Sequence, residues 1–111
     1  MPADKDSYFD LVYEIVRHIP VGRVTNYGAI ADYLSLGSAR MVGWALNHCH
    51  DMKDVPAHRV VNRLGELSGR VHFKPPSSMA GRLRKEGIRV KKDKVVDFEK
   101  LFWHPKEMKI G

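Results

Sequence analysis

The chain has a single cysteine in 111 residues, so no internal disulfide can form, which fits a reducing compartment. No apolar run approaches the roughly 20 residues needed to span a bilayer, and the polar opening MPADKDSYFD is unlike a signal peptide. A soluble, intracellular protein with no membrane partner is expected. Internal repeats, low-complexity tracts and Gly/Ser linkers are also missing, which excludes collagen-like, mucin-like and linker readings. At this length there is no room for a second core, so residues 1–111 are expected to form one domain. Acidic residues are the minority: 13 Asp and Glu stand against 19 Lys and Arg, a formal net charge of +6. Such a surface attracts anions, and nucleic acid leads the partner list. The charge is uneven. Residues 1–55 carry five basic against seven acidic side chains, whereas residues 56–111 carry fourteen against six, so the second half builds the basic face. Hydrophobic residues make up 43%, enough for a modest core.

Periodicity predicts a mostly α fold with little β. Phe9, Val12, Ile15, Val16 and Ile19 repeat at helical spacing after a cap at Ser7 and run to Pro20. Thr25 or Asn26 can cap a second helix over residues 27–34, with Ile30, Ala31 and Leu34 turned inward. Residues 35–37 make a glycine-containing turn, and Ser38 can cap a third helix reaching about His48, with Val42, Ala45 and Leu46 as its buried stripe. Two short helices around such a turn outline a helix-turn-helix. Residues 58–61 read as extended and 62–65 as a turn. Ser77 or Ser78 can cap a fourth helix that ends before Gly87, and two short strands flank KKDK. The aromatic tail over residues 97–103 is expected to pack back on the body.

The inventory of reactive groups is thin. His48, Cys49, His50 and Asp51 are adjacent, so their side chains diverge and do not share one tetrahedral ion. No metal or other cofactor is expected. Cys49 and His58 have the chemistry of a thiol and its base, yet nothing in the sequence places them together. A phosphate-cradling loop and a GxSxG elbow are both lacking, so the residues alone give no support for catalysis.

Four segments occur in an informative order: NYGAIA at residues 26–31, SARMVG at 38–43, VPAHRVVN at 55–62 and KEG at 85–87. Their order and spacing resemble the C-terminal domain of O6-alkylguanine-DNA alkyltransferases over roughly residues 8–104. In that family the third motif reads Pro-Cys-His-Arg-Val, and its cysteine takes the alkyl group irreversibly. Here Ala57 stands at that position. The departure is similar to the alkyltransferase-like branch, which binds alkylated guanine without repairing it. The resemblance implies a winged-helix-like domain with a DNA-binding helix-turn-helix, working as a monomer. Its expected partners are duplex DNA containing O6-alkylguanine and the proteins of nucleotide excision repair. The expected location is cytoplasmic and DNA-associated, or nuclear in a eukaryote.

The resemblance also implies roles for single residues. Arg40, near the start of the third helix, would enter the base stack and fill the gap left by a flipped nucleotide. Tyr27 would crowd the target phosphate and touch the flipped base. Arg70 falls where an arginine in this branch is placed for the phosphate or the base. Pro56, Ala57, His58 and Val60 would join Tyr27 and Arg70 in lining the lesion pocket, with the main-chain carbonyls of Ala57 and Val60 accepting from the guanine amine. A methyl at Ala57 would leave a roomy apolar floor that tolerates adducts larger than methyl. His58, Asn62 and Glu86 match a hydrogen-bond chain that serves the thiol in active relatives and would be structural here. Lys74, Arg82 and Arg84 are available for phosphate contacts. The third helix carries only Arg40, too little for reading bases in the major groove, whereas relatives dock this element in the minor groove. Taken singly, Tyr27 reads as a half-buried helix aromatic, Arg40 as a surface arginine and His58 as a core histidine; the ordered motifs give them their roles. Two alternatives stay open: a transferase using Cys49, and a helix-turn-helix regulator indifferent to lesions.

Overall fold

The computed structural model describes residues 5–108. Helix α1 (Lys5–Arg17) is followed by a two-residue strand β1 (Thr25–Asn26), then α2 (Tyr27–Tyr33) and α3 (Ala39–Leu46). Next come strand β2 (Val60–Val61), α4 (Ser78–Lys85), the strands β3 (Val90–Lys91) and β4 (Lys94–Val95), and a short α5 (Phe98–Leu101). The fold is mostly helical with two small sheets, as the periodicity predicts.

The apolar stripes face one core. Val12, Ile15, Val16 and Ile19 from the first segment meet Ile30 and Ala31 of α2 and Val42, Ala45 and Leu46 of α3. Full burial of the Val, Ile and Leu side chains is worth about 1.5–3 kcal/mol each, so these three helices set the frame. Helix α1 already includes Lys5, so Ser7 lies inside it rather than at its cap, and the helix stops at Arg17. Asn26 does cap α2, its Oδ1 accepting from the Ala29 N–H at 2.7 Å. Ser38 and Ser77 occupy the cap positions of α3 and α4 but make no side-chain cap bond. Gly87 takes the left-handed conformation, φ +85°, that ends α4.

Residues 58–61 are only half extended. Residues Ala57–Arg59 form a 3-10 turn in which the Arg59 N–H bonds the Pro56 carbonyl at 3.0 Å, and only Val60–Val61 is strand. That strand pairs in parallel with β1, in the register Thr25 to Val60 and Asn26 to Val61. One residue, Asn26, therefore both pairs with the third motif and caps α2, which fixes Tyr27 beside the turn that carries Ala57. Strands β3 and β4 form the expected hairpin; Lys92 and Asp93 at its tip both have positive φ, the conformation of a tight two-residue turn. The tail closes on Val24, whose carbonyl accepts from Trp103 N–H at 2.7 Å, and Trp103 is buried.

Candidate nucleic-acid interface

Helix α3 buries Val42, Ala45 and Leu46 and turns Ala39, Arg40, Trp44 and Asn47 outward. Burying one stripe leaves the opposite face free of structural duty. Arg40 has no hydrogen-bond or ion-pair partner among the described residues, and α3 holds no acidic side chain to claim it. Trp44, one turn further on, is 50% exposed, a large apolar side chain that the core does not use. Together with Tyr27, Gly43 and Asn47 they line a shallow depression of about 590 Å³. The spacing of four between Arg40 and Trp44 is the sequence signal for this face, and the motif reading passed over Trp44.

Tyr27 is half-buried. Burial pushes its hydroxyl pKa above the ordinary phenol value, against a hydrogen bond from Ser68 that acts the other way. A Cβ added to Gly69 would lie 2.8 Å from that hydroxyl, so the tip of the Tyr27 side chain sits directly over Gly69. The same loop is held to the hairpin by Leu67 N–H donating to the Asp93 carbonyl at 2.8 Å. Arg70 follows in a 3-10 turn; its Nη1 donates to the Leu67 carbonyl at 2.9 Å and its Nε lies 3.4 Å from Asp93. Its guanidinium is thus partly engaged and partly exposed.

A second cavity, of about 520 Å³, is lined by Pro56, Ala57 and His58 along with Cys49, Phe73 and Arg82. The six residues expected in one lesion pocket are therefore distributed. Tyr27 lines the outer depression, Pro56, Ala57 and His58 line the inner cavity, and Arg70 lines neither. Val60 lines neither as well: it is fully buried in the core, because its strand pairs with β1. The Ala57 carbonyl already accepts from the Val60 N–H, which leaves one lone pair for a ligand.

Beneath the turn lies a charged clamp. The Glu86 carboxylate accepts from His58 Nε2 at 2.6 Å, from Arg59 Nε and Nη2 at 2.9–3.1 Å, and from Gly22 N–H at 3.2 Å. Arg59 Nη1 also donates to the Ile19 carbonyl at 2.8 Å. Burial alone pushes the Glu86 carboxyl up, but the hydrogen bonds from Arg59, His58 and Gly22 outweigh it and hold the pKa at about 2. For His58, burial lowers the pKa, and the charges of Arg59 and Arg82 add to that effect against the pull of Glu86. The ring is neutral at pH 7, its Nε2–H donates to Glu86, and its buried Nδ1 has no partner among the described residues. Asn62 stands outside this chain. Its Oδ1 accepts from the Leu64 and Glu66 N–H groups and its Nδ2 donates to the Glu66 carboxylate, so it shapes its own turn. Arg59, given no separate role by the motif reading, supplies most of the clamp.

Cys49 and His58, unconnected in sequence, line the same cavity. The thiol is buried and donates to the Leu46 carbonyl at 3.2 Å; burial, with the charge of Asp51, raises its pKa to about 11. At pH 7 only roughly one molecule in 10⁴ would carry the nucleophilic thiolate. No group of three or more His, Cys, Asp or Glu side chains able to hold a metal ion is found among the described residues.

Residues 7–88 match the family model described as the 6-O-methylguanine DNA methyltransferase DNA-binding domain. The chain is 34% identical to Alkyltransferase-like protein 1 of Schizosaccharomyces pombe, over 90% of this chain and 97% of that protein. It is 35% identical to the DNA base-flipping protein of Escherichia coli, over 90% of this chain and 77% of that one. Its fold superposes with a TM-score of 0.79 on the crystal structure of S. pombe Atl1 in complex with damaged DNA containing O6-carboxymethylguanine, at 33% identity over 90% of this chain and 97% of that one.

Proposed function

The chain belongs to the family of the 6-O-methylguanine DNA methyltransferase DNA-binding domain, in its alkyltransferase-like branch, and from that premise we propose that it binds O6-alkylguanine in duplex DNA by flipping the nucleotide and transfers nothing. The reading rests on Ala57, which by motif order stands where active relatives carry the acceptor cysteine; it lines a cavity, on a turn clamped by Glu86.

The mechanism follows from which groups are free. O6-alkylation removes the N1 proton of guanine and weakens its pair with cytosine, so the damaged base is the cheapest to extrude. The remaining unstacking cost is about a few kcal/mol. Arg40, on the exposed face of α3 and without a partner among the described residues, enters the stack and donates to the widowed cytosine. Trp44 lies along the same face and packs on the groove wall. Tyr27, seated on Gly69, crowds the target phosphate and directs the base inward, where Pro56 and Ala57 meet the alkyl group and Arg70 meets the phosphate or base. His58 and Glu86 keep the turn rigid. Lys74, Arg82 and Arg84 contribute phosphate contacts, so affinity falls as salt rises.

The cell-level role we propose is to shield the lesion and pass it to nucleotide excision repair, acting as a monomer in the compartment that holds the DNA. A transferase reading would need Cys49, whose raised pKa keeps it a thiol. A lesion-blind regulator would have no use for the cavity beside Ala57. The flipping step is tested with 2-aminopurine placed next to O6-methylguanine. Binding should brighten its fluorescence in the lesion duplex and leave it dim in the unmodified duplex; binding without brightening would refute flipping.

A further inference from the structure

Resting on that reading, we infer that the cavity lined by Ala57 selects O6 adducts that end in a carboxylate over neutral adducts of the same shape. Its wall is cationic. Arg17, Lys53, Arg59 and Arg82 line it against a single acid, Asp54. Two of the four are already answered, Arg17 by Asp54 at 2.9 Å and Arg59 by Glu86. Lys53 and Arg82 have no acidic partner among the described residues.

Arg82 projects from α4 and lies over the Phe73 ring, 5.4 Å from its centroid, which holds the guanidinium at the cavity. From there its charge bears on both His50 and His58. Asp51, the nearby acid, bears on His50 and Cys49 and forms no ion pair with Arg82.

The second observation is the orphaned Nδ1 of His58. The residue is 8% exposed, and this nitrogen is buried with no partner among the described residues. A buried nitrogen without a partner costs free energy until a ligand supplies one. Glu86 and Arg82, from α4 and its end, and Arg59, from the 3-10 turn itself, are the charges that face the ring. A second carboxylate opposite Glu86 favours the protonated imidazole. The proton comes from solvent, and Nε2–H and Nδ1–H then each donate to one acid. An O6 substituent two or three atoms long, starting at the Ala57 methyl, would carry its acid group toward Arg82 and His58.

The test is a competition titration with three duplexes: O6-carboxymethylguanine, its neutral isostere O6-carbamoylmethylguanine, and unmodified guanine. The expected result is that the acid binds at least about tenfold more tightly than the amide. In Arg82→Met, which keeps an unbranched side chain beside Phe73, the acid-to-amide ratio should collapse toward one. Because the ratio is compared, loss of any phosphate contact by Arg82 cancels. Equal affinity for acid and amide, both above unmodified DNA, would overturn the selectivity and leave lesion recognition standing. Equal affinity for all three would overturn lesion recognition itself, and an unchanged ratio in Arg82→Met would overturn the role of the cavity.

Discussion

Replacing Glu86 with Gln keeps the shape of the clamp and removes its charge. The carboxylate accepts hydrogen bonds from His58, Arg59 and the Gly22 backbone, and its side chain is 12% exposed beside an Arg59 that is 13% exposed. An amide has one acceptor oxygen, and its NH₂ would face a donor. Removing one partner of a buried pair costs about 3–5 kcal/mol, because the surviving charge is stranded. Linkage gives a similar figure. A carboxyl lowered from 4.5 to about 2 contributes about 3 kcal/mol of stability above its unfolded pKa. The sign is that of a depressed acid: the contribution is complete above about pH 4.5 and is lost as pH falls toward 2. Against a total of about 5–15 kcal/mol this is a large share. Urea unfolding, followed by circular dichroism between pH 3 and 7, should therefore show a midpoint lower by about 1–3 M at neutral pH in Glu86→Gln, with a flatter acid limb. A variant within about 0.5 kcal/mol of the parent at pH 7, with the same acid limb, would refute the clamp.

Arg40→Ala should leave stability unchanged, since the side chain has no partner among the described residues, and should weaken lesion binding by at least about tenfold in a fluorescence titration; unchanged affinity would remove its place in the stack. Gly69→Ala would bring a methyl within 2.8 Å of the Tyr27 hydroxyl and displace a rigid ring. It should erode discrimination between damaged and intact duplex, and Tyr27→Phe in the same background, which removes the clashing oxygen, should recover part of the loss. No recovery would mean that Gly69 acts elsewhere. Tyr27→Phe alone should cost less lesion affinity than Tyr27→Ala, and equal losses would contradict the steric role of the ring.

How much of this was legible in the sequence depended on the range of the interaction. The stripe Val42, Ala45 and Leu46 was readable because helical burial repeats locally, and so was the tight turn between two short strands. Asn26 was readable as a cap because its partner lies three residues away. The parallel pairing of Thr25 with Val60 was not, since a two-residue strand has no period and its mate lies 35 positions on. That pairing buries the Val60 side chain in the core, so the role the resemblance gives this residue falls to its main chain. For Asn62 the resemblance implied a structural role, but its partners, Leu64 and Glu66 in a local Asx-type turn, became visible only in the structure. The clamp was half legible. His58 and Glu86 stood out by resemblance, whereas Arg59, adjacent to His58 and pointing to the same carboxylate, became visible only once α4 was packed on the 3-10 turn. Cavities are the least legible feature, because the walls around Ala57 come from α1, two loops, the 3-10 turn and α4.

The most direct test sets an O6-methylguanine duplex beside its unmodified twin at one salt concentration, with the protein weighed by mass spectrometry afterwards. A pocket that holds the lesion without reacting predicts binding tighter by at least about tenfold for the methylated duplex and a protein mass that does not change. Equal affinities, or a protein heavier by one methyl group, would contradict it.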